Sequence, residues 1–270
     1  MRHEPHRVFL RRLRNFFGTA DESHAKIAGF ILFAAGLAPA HQQRHSMQRT
    51  SLAVANWKMN GTLADARRWA EGFAPLSPAL EGVETVVCAP TLHLPLLHAS
   101  LPESVRLGAE DVSAYTNGAH TGDVSAAMLA DAGVDWVIVG HSERRAEAGD
   151  TDERVLEKAR RAAEAGLRTI LCVGETLGER RAGSTEAVLE RQLVSILLGL
   201  EPGELAAVAY EPVWAIGTGE AASPETAQEV AAHLRALVAR HWGEEAAARL
   251  PVLYGGSVNE KNAAQFFACP

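Results

Sequence analysis

From Ser51 onward the chain keeps one rhythm: a short apolar run rich in β-branched residues, a polar or glycine turn, then a longer segment with helical spacing. The short runs are LAVA (52–55), VETVVC (83–88), VRLGA (105–109), WVIV (136–139), TILCV (169–173), AAVAY (206–210) and PVLY (251–254), which predict seven strands. Between the last two, Ala227, Val230, Ala231, Leu234, Leu237 and Val238 fall on one helical face. Ser223 and Pro224 are suited to cap and open that helix. Alternating strands and helices imply parallel pairing with right-handed crossovers, and runs apolar on both faces imply strands covered on both sides. A doubly wound sheet and a (β/α)8 barrel both satisfy the pattern.

The polar residues separate the two. Asn56 and Lys58, then His141, then Glu211, then Gly255–Ser257 each stand just after a different predicted strand. Function gathered from the C-terminal ends of many strands is the barrel arrangement, whereas a doubly wound sheet concentrates it at one switch point. The fold class expected is therefore an α/β, (β/α)8 barrel. It is expected to stop after its seventh βα unit, because the sequence ends in FFACP with no eighth strand or helix. Seven strands leave two open edges, which predicts poor solubility and little activity.

Composition narrows the setting. The 270 residues are 47% hydrophobic and 22% charged, enough for one large core. A net charge of −7 argues against a nucleic-acid or anionic-membrane partner, so an anionic ligand must be met by local groups. Cys88, Cys172 and Cys269 form no C-x-x-C pair, which signals neither a disulfide framework nor a zinc site and fits a reducing, cytoplasmic compartment. Residues 1–46 differ from the rest, with the basic run RVFLRRLRNFF followed by the apolar IAGFILFAAGLAPA at 27–40. That run is shorter than the roughly 20 residues a bilayer span needs. APA at 38–40 resembles a cleavage site, but Asp21, Glu22 and the long lead-in fit a targeting peptide poorly. The expectation is an extension over 1–46 outside the fold, whose deletion changes nothing, and a barrel domain over 47–270, with Met47 an alternative start.

Glu211 ends an apolar run and is followed by Pro212 and VWAIGTG. Pro212 fixes the backbone after the carboxylate, and the apolar, glycine-punctuated loop has the composition of a lid that excludes water and strengthens a base. GTGEAA (217–222) also fits G-x-G-x-x-A, but five residues separate it from Glu211, and the next strand ends in Tyr254 rather than an acid. His141 in GHSERR precedes a helix start, where free amides disfavour a positive ring and leave a neutral hydrogen-bond donor. Lys58 offers a compact cation for an anionic substrate. Gly255, Gly256 and Ser257 could cup a phosphate with backbone amides ahead of a helix near Asn259. Each has a bland alternative: a solvated carboxylate, a satisfied histidine, a surface lysine, an ordinary glycine turn. Together they make a base, a neutral donor, a cation and a phosphate nest, with no metal pattern, and suit proton abstraction beside a carbonyl in a small phosphorylated molecule.

NWKMNG, GAHTGDVSA, GHSERR, CVGETL, YEPVWAIGTG and YGGSV resemble the triosephosphate isomerase family, in the family's order and from about Ser51 to the C-terminus. The resemblance implies an isomerase of glycolysis and gluconeogenesis interconverting dihydroxyacetone phosphate and glyceraldehyde 3-phosphate, without cofactor. It implies Glu211 as the proton shuttle, His141 as the carbonyl polariser, and Lys58 with Asn56 as holders of the anionic substrate. Glu143 would support Lys58, and Ser142 the resting glutamate. Gly217 and Ser257 would contact phosphate. It also implies a homodimer in which the loop Thr116–Asp123 enters the partner's site and Thr121 steadies the neighbour's Asn56 and His141. Departures are Glu110 in place of an expected Gln, Asp123 in place of Glu, and Glu220 at the lid's end in place of Lys. The alternatives are a catalytically impaired or non-catalytic fragment of the same barrel, or another small phosphosugar isomerase.

Overall fold

The computed structural model describes residues 31–34, 51–80, 82–216, 222–258, 262–267 and 269. Its strands are β1 (Ile31–Ala34), β2 (Ser51–Asn56), β3 (Val83–Ala89), β4 (Val105–Ala109), β5 (Trp136–Val139), β6 (Arg168–Val173), β7 (Leu205–Tyr210) and β8 (Val252–Tyr254). The α-helices are α1 (Leu63–Phe73), α2 (Leu94–Ser100), α3 (Ala126–Asp131), α4 (Ser142–Glu147), α5 (Asp152–Glu164), α6 (Leu177–Arg181), α7 (Thr185–Leu197), α8 (Pro224–Trp242), α9 (Glu244–Arg249) and α10 (Ala263–Phe267). The seven predicted strands are β2 to β8, each within a residue or two of its apolar run.

Strands β2 to β8 pair in chain order and in parallel, with helices between them. Strand β5 shows why its sequence is apolar throughout: Trp136 and Ile138 join the barrel interior, while Val137 and Val139 join the layer under the helices. Interior partners include Val54, Ile170 and Leu253, so the barrel is filled by side chains rather than open. The face predicted for α8 is the buried one, with Val230, Leu234, Leu237 and Val238 against the barrel and Ala231 half-buried. Ser223 caps α8 through the Thr226 amide, and Thr62–Asp65 and Thr176–Glu179 are capping boxes on α1 and α6.

The sheet closes. Strand β1 lies between β2 and β8 and runs antiparallel to both, with Ile31 opposite Ala55, Leu32 opposite Val54, Ala34 opposite Leu52, and Phe33 opposite both Ala53 and Tyr254. The expectation that residues 1–46 stay outside the fold therefore does not hold at Ile31–Ala34. The rest of that stretch lies outside the described residues. The expected open edges on β2 and β8 are likewise corrected: an antiparallel strand covers both. After the seventh βα unit no further strand follows among the described residues.

Candidate active site

Closure brings the C-terminal ends of β2, β5, β7 and β8 around one mouth. At β2, Asn56 is buried and its Oδ1 accepts the Lys58 N–H at 3.1 Å. Lys58 has φ 53°, the one positive φ of a non-glycine among the described residues and a strained conformation, and it lines the same cavity as Asn56 and His141. Its Nζ meets Glu143 Oε1 at 2.7 Å.

At β5, His141 caps α4 and its Nδ1 accepts the Glu143 N–H at 3.2 Å. With Nδ1 accepting, Nε2 is the ring nitrogen left to donate. Nε2 stands 3.3 Å from Glu211 Oε1. Glu211, 3% exposed, follows β7 and also accepts the Ser142 amide at Oε2 over 3.4 Å. Behind it, a Cβ at Gly174 would collide with the Glu211 carbonyl oxygen, so only glycine lets β6 and β7 approach here. Cys172 on β6 is fully buried beside Glu211, and burial together with that carboxylate pushes its thiol well above the ordinary range.

At β8, Gly255 donates its amide to the Tyr210 carbonyl at 2.7 Å, and the Ser257 hydroxyl donates to the Ala215 carbonyl at 2.6 Å. The Gly255 amide is thus engaged within the fold, which narrows the expected nest to its later residues. Gly217, and with it Glu220 and Asn259, lies outside the described residues.

Glu175, in CVGETL just after β6, is a carboxylate that the sequence pattern did not single out. It is fully buried, and its Oε1 accepts from Trp214 Nε1 at 2.9 Å, Tyr210 Oη at 3.2 Å and Arg180 Nη1 at 3.2 Å. Burial first, then Glu175, raises the Tyr210 phenol above its ordinary range. The signal was available: an acid right after a strand, as at Glu211. It ties down Trp214, at the start of the segment expected to be a lid, while Tyr254 Oη accepts the Ala222 amide at 2.9 Å.

A cavity of about 370 Å³ opens beside the mouth, lined among others by Asn56, Lys58, Glu110, His141, Glu143 and Asp123. Burial raises the Glu110 carboxyl to about 8, with Glu143 adding to the rise and Lys58 opposing it. Thr121 is exposed on the adjoining loop, where Tyr115 and His120 stack at 3.6 Å between ring centroids. Among the described residues no three His, Cys, Asp or Glu side chains are gathered as a metal cluster, and no helix is long and apolar enough to cross a membrane.

The family model for triosephosphate isomerase matches residues 51–270. Triosephosphate isomerases of Alkalilimnicola ehrlichii and Symbiobacterium thermophilum are 49% and 48% identical to it, each over 82% of this chain and 89% and 88% of theirs. That of Thiobacillus denitrificans is 48% identical over 82% of this chain and 89% of its own.

Proposed function

We propose that this chain, which belongs to the triosephosphate isomerase family, performs the family's reaction with Glu211 as the base and His141 as the electrophile. The chain is a triose-phosphate isomerase, interconverting dihydroxyacetone phosphate and D-glyceraldehyde 3-phosphate. A glutamate base beside a neutral histidine is the established pattern for such enzymes. The observation that carries the assignment here is the 3.3 Å approach of His141 Nε2 to Glu211 Oε1 from two different strands.

Glu211 removes a proton from C1 of the ketone as the C1–C2 double bond forms and the carbonyl electrons move onto oxygen. The His141 Nε2–H donates to that oxygen and stabilises the enediolate. The C1 hydroxyl proton passes to the C2 oxygen by way of His141, protonated Glu211 returns a proton to C2, and the C1 oxygen becomes the aldehyde carbonyl. Bound substrate replaces His141 and Ser142 as the partners of the resting carboxylate. Lys58 and Asn56 hold the anionic end of the substrate's path, Glu143 orients Lys58, and Ser257 and Gly217 belong to the phosphate side. The lid keeps water from the enediolate, which otherwise loses its phosphate.

The reading includes a homodimer. The loop Thr116–Asp123, with Thr121 at its tip, enters the partner's cavity beside Asn56 and His141. Support comes from the cavity's position next to the catalytic pair and from Met59 on its rim, 96% exposed. Cytoplasmic residence is part of the reading, supported by buried free Cys88 and Cys172.

Isomerisation in deuterium oxide tests the mechanism. A carboxylate that exchanges its proton with solvent leaves deuterium at C2 of glyceraldehyde 3-phosphate, read by mass spectrometry or NMR. Turnover with no solvent deuterium at C2 in any product would rule out a solvent-exchanging carboxylate as the shuttle.

A further inference from the structure

Strand β1 is the one element of the sheet that runs against its neighbours, and it occupies the seam between the first and last parallel strands. The seam has functional lips. Ile31 stands opposite Ala55, one residue before Asn56, and Phe33 stands opposite Tyr254, one residue before Gly255. Through its two ladders β1 thus links the strand that carries Asn56 and Lys58 to the strand that carries Ser257 and the lid anchor Tyr254.

An unpaired edge on β2 would leave its ladder N–H and C=O groups open on the side of Leu52 and Val54, which are 1% and 0% exposed in the barrel interior. Wet polar backbone beside a dry core costs on the order of 1–3 kcal/mol per group left unpaired. Strand β8 is only Val252–Tyr254, with β1 on one side and β7 on the other, and α10 packs against β1. The residues suit this place in the sheet, since ILFA at 31–34 is uncharged and lacks proline, so nothing there forbids a ladder. An antiparallel partner also needs only a return connection, since Ala34 and Leu52 are opposite at one end of the barrel.

We propose that Ile31–Ala34 acts as an internal closing strand that sets the distance between the two lips of the catalytic mouth, so that the upstream segment positions the substrate-binding turns. The kinetic part rests on the assignment of Asn56, Lys58 and Ser257 to the substrate; the pairing itself does not. Two full-length cysteine pairs and one proline variant test it. Phe33→Cys with Ala53→Cys places thiols directly opposite, where antiparallel Cα atoms lie about 4.5–5.5 Å apart, within disulfide range. Leu32→Cys with Ala53→Cys is the one-residue slip. The first pair is expected to oxidise to an intramolecular disulfide, mapped by peptide mass spectrometry, with kcat kept, and the slipped pair is expected to remain mostly reduced. Phe33→Pro removes a ladder N–H and is expected to raise KM about tenfold or more, with kcat within a few-fold. Loss of soluble protein in Phe33→Pro, alongside an intact 33–53 cross-link, also makes the strand integral to the fold. Equal oxidation of both pairs, no 33–53 disulfide, or an unchanged KM in soluble Phe33→Pro would overturn the proposal. A chain that forms the 33–53 disulfide but isomerises nothing would leave the strand standing and sink the catalytic reading instead.

Discussion

At Glu110 a single side chain carries a stability cost that depends on pH. Its carboxyl is raised from 4.5 to about 8, chiefly by burial, and its Oε1 has no hydrogen-bond partner among the described residues. A raised carboxyl means that the folded chain binds a proton the unfolded chain has released. The destabilisation is absent below about pH 4.5, grows as pH rises, and is complete above about 8. Glu110→Gln removes the charge and keeps the shape, so it is expected to stabilise the protein by on the order of 2–4 kcal/mol at pH 8 and by little at pH 5. Thermal melts of both proteins at the two pH values measure this, and an equal gain at both would contradict it. Glu110 stood out in the sequence as a departure from the family pattern, but its burial did not, because burial depends on how β4 meets the β2 turn. His141 and Glu211 were legible because each ends an apolar run with a polar residue. The link between them, 70 residues apart in sequence, exists only once β5 and β7 share a barrel.

Among the elements, the stem of the proposed lid can be tested through Trp214. Trp214 is held by a hydrogen bond to Glu175 and by Arg180 over its ring, 4.7 Å from the centroid. Trp214→Phe deletes the indole N–H and leaves a buried carboxylate short of a donor, a loss of about 1–3 kcal/mol. Because hinge changes shift lid opening and closing together, kcat and KM are expected to change jointly, several-fold each, while circular dichroism stays native. Steady-state kinetics check this; unaltered constants would detach Trp214 from the lid. Strands were the easiest elements to read, since β-branched runs between glycine and polar turns have few other uses. Strand β1 was not readable as one. Its four residues sit inside the longer apolar run at 27–40, which has no strand period, and only the sheet's geometry picks them out.

For the whole molecule, a barrel closed by its own upstream segment is joined, in the proposed dimer, to a site completed by a second copy. Thr121→Arg puts a bulky charge on the loop tip, and sedimentation velocity is expected to show monomer where the parent sediments as a dimer, with kcat reduced at least tenfold. A monomeric parent would remove the dimer from the proposal. The expectation that the chain lacks two edge partners came from counting parallel strands after Ser51, and it failed because an antiparallel strand is outside that count. What unites these scales is one carboxylate delivered by β7 to a histidine delivered by β5. The kinetic constants of the purified full chain and of Glu211→Asp test that directly, in an assay coupling glyceraldehyde 3-phosphate to a dehydrogenase. Retracting the carboxylate by one methylene is a shift of about 1 Å, so kcat is expected to fall on the order of 100-fold with KM nearly constant. An active parent whose Glu211→Asp variant keeps its kcat would contradict the assignment of Glu211 as the base.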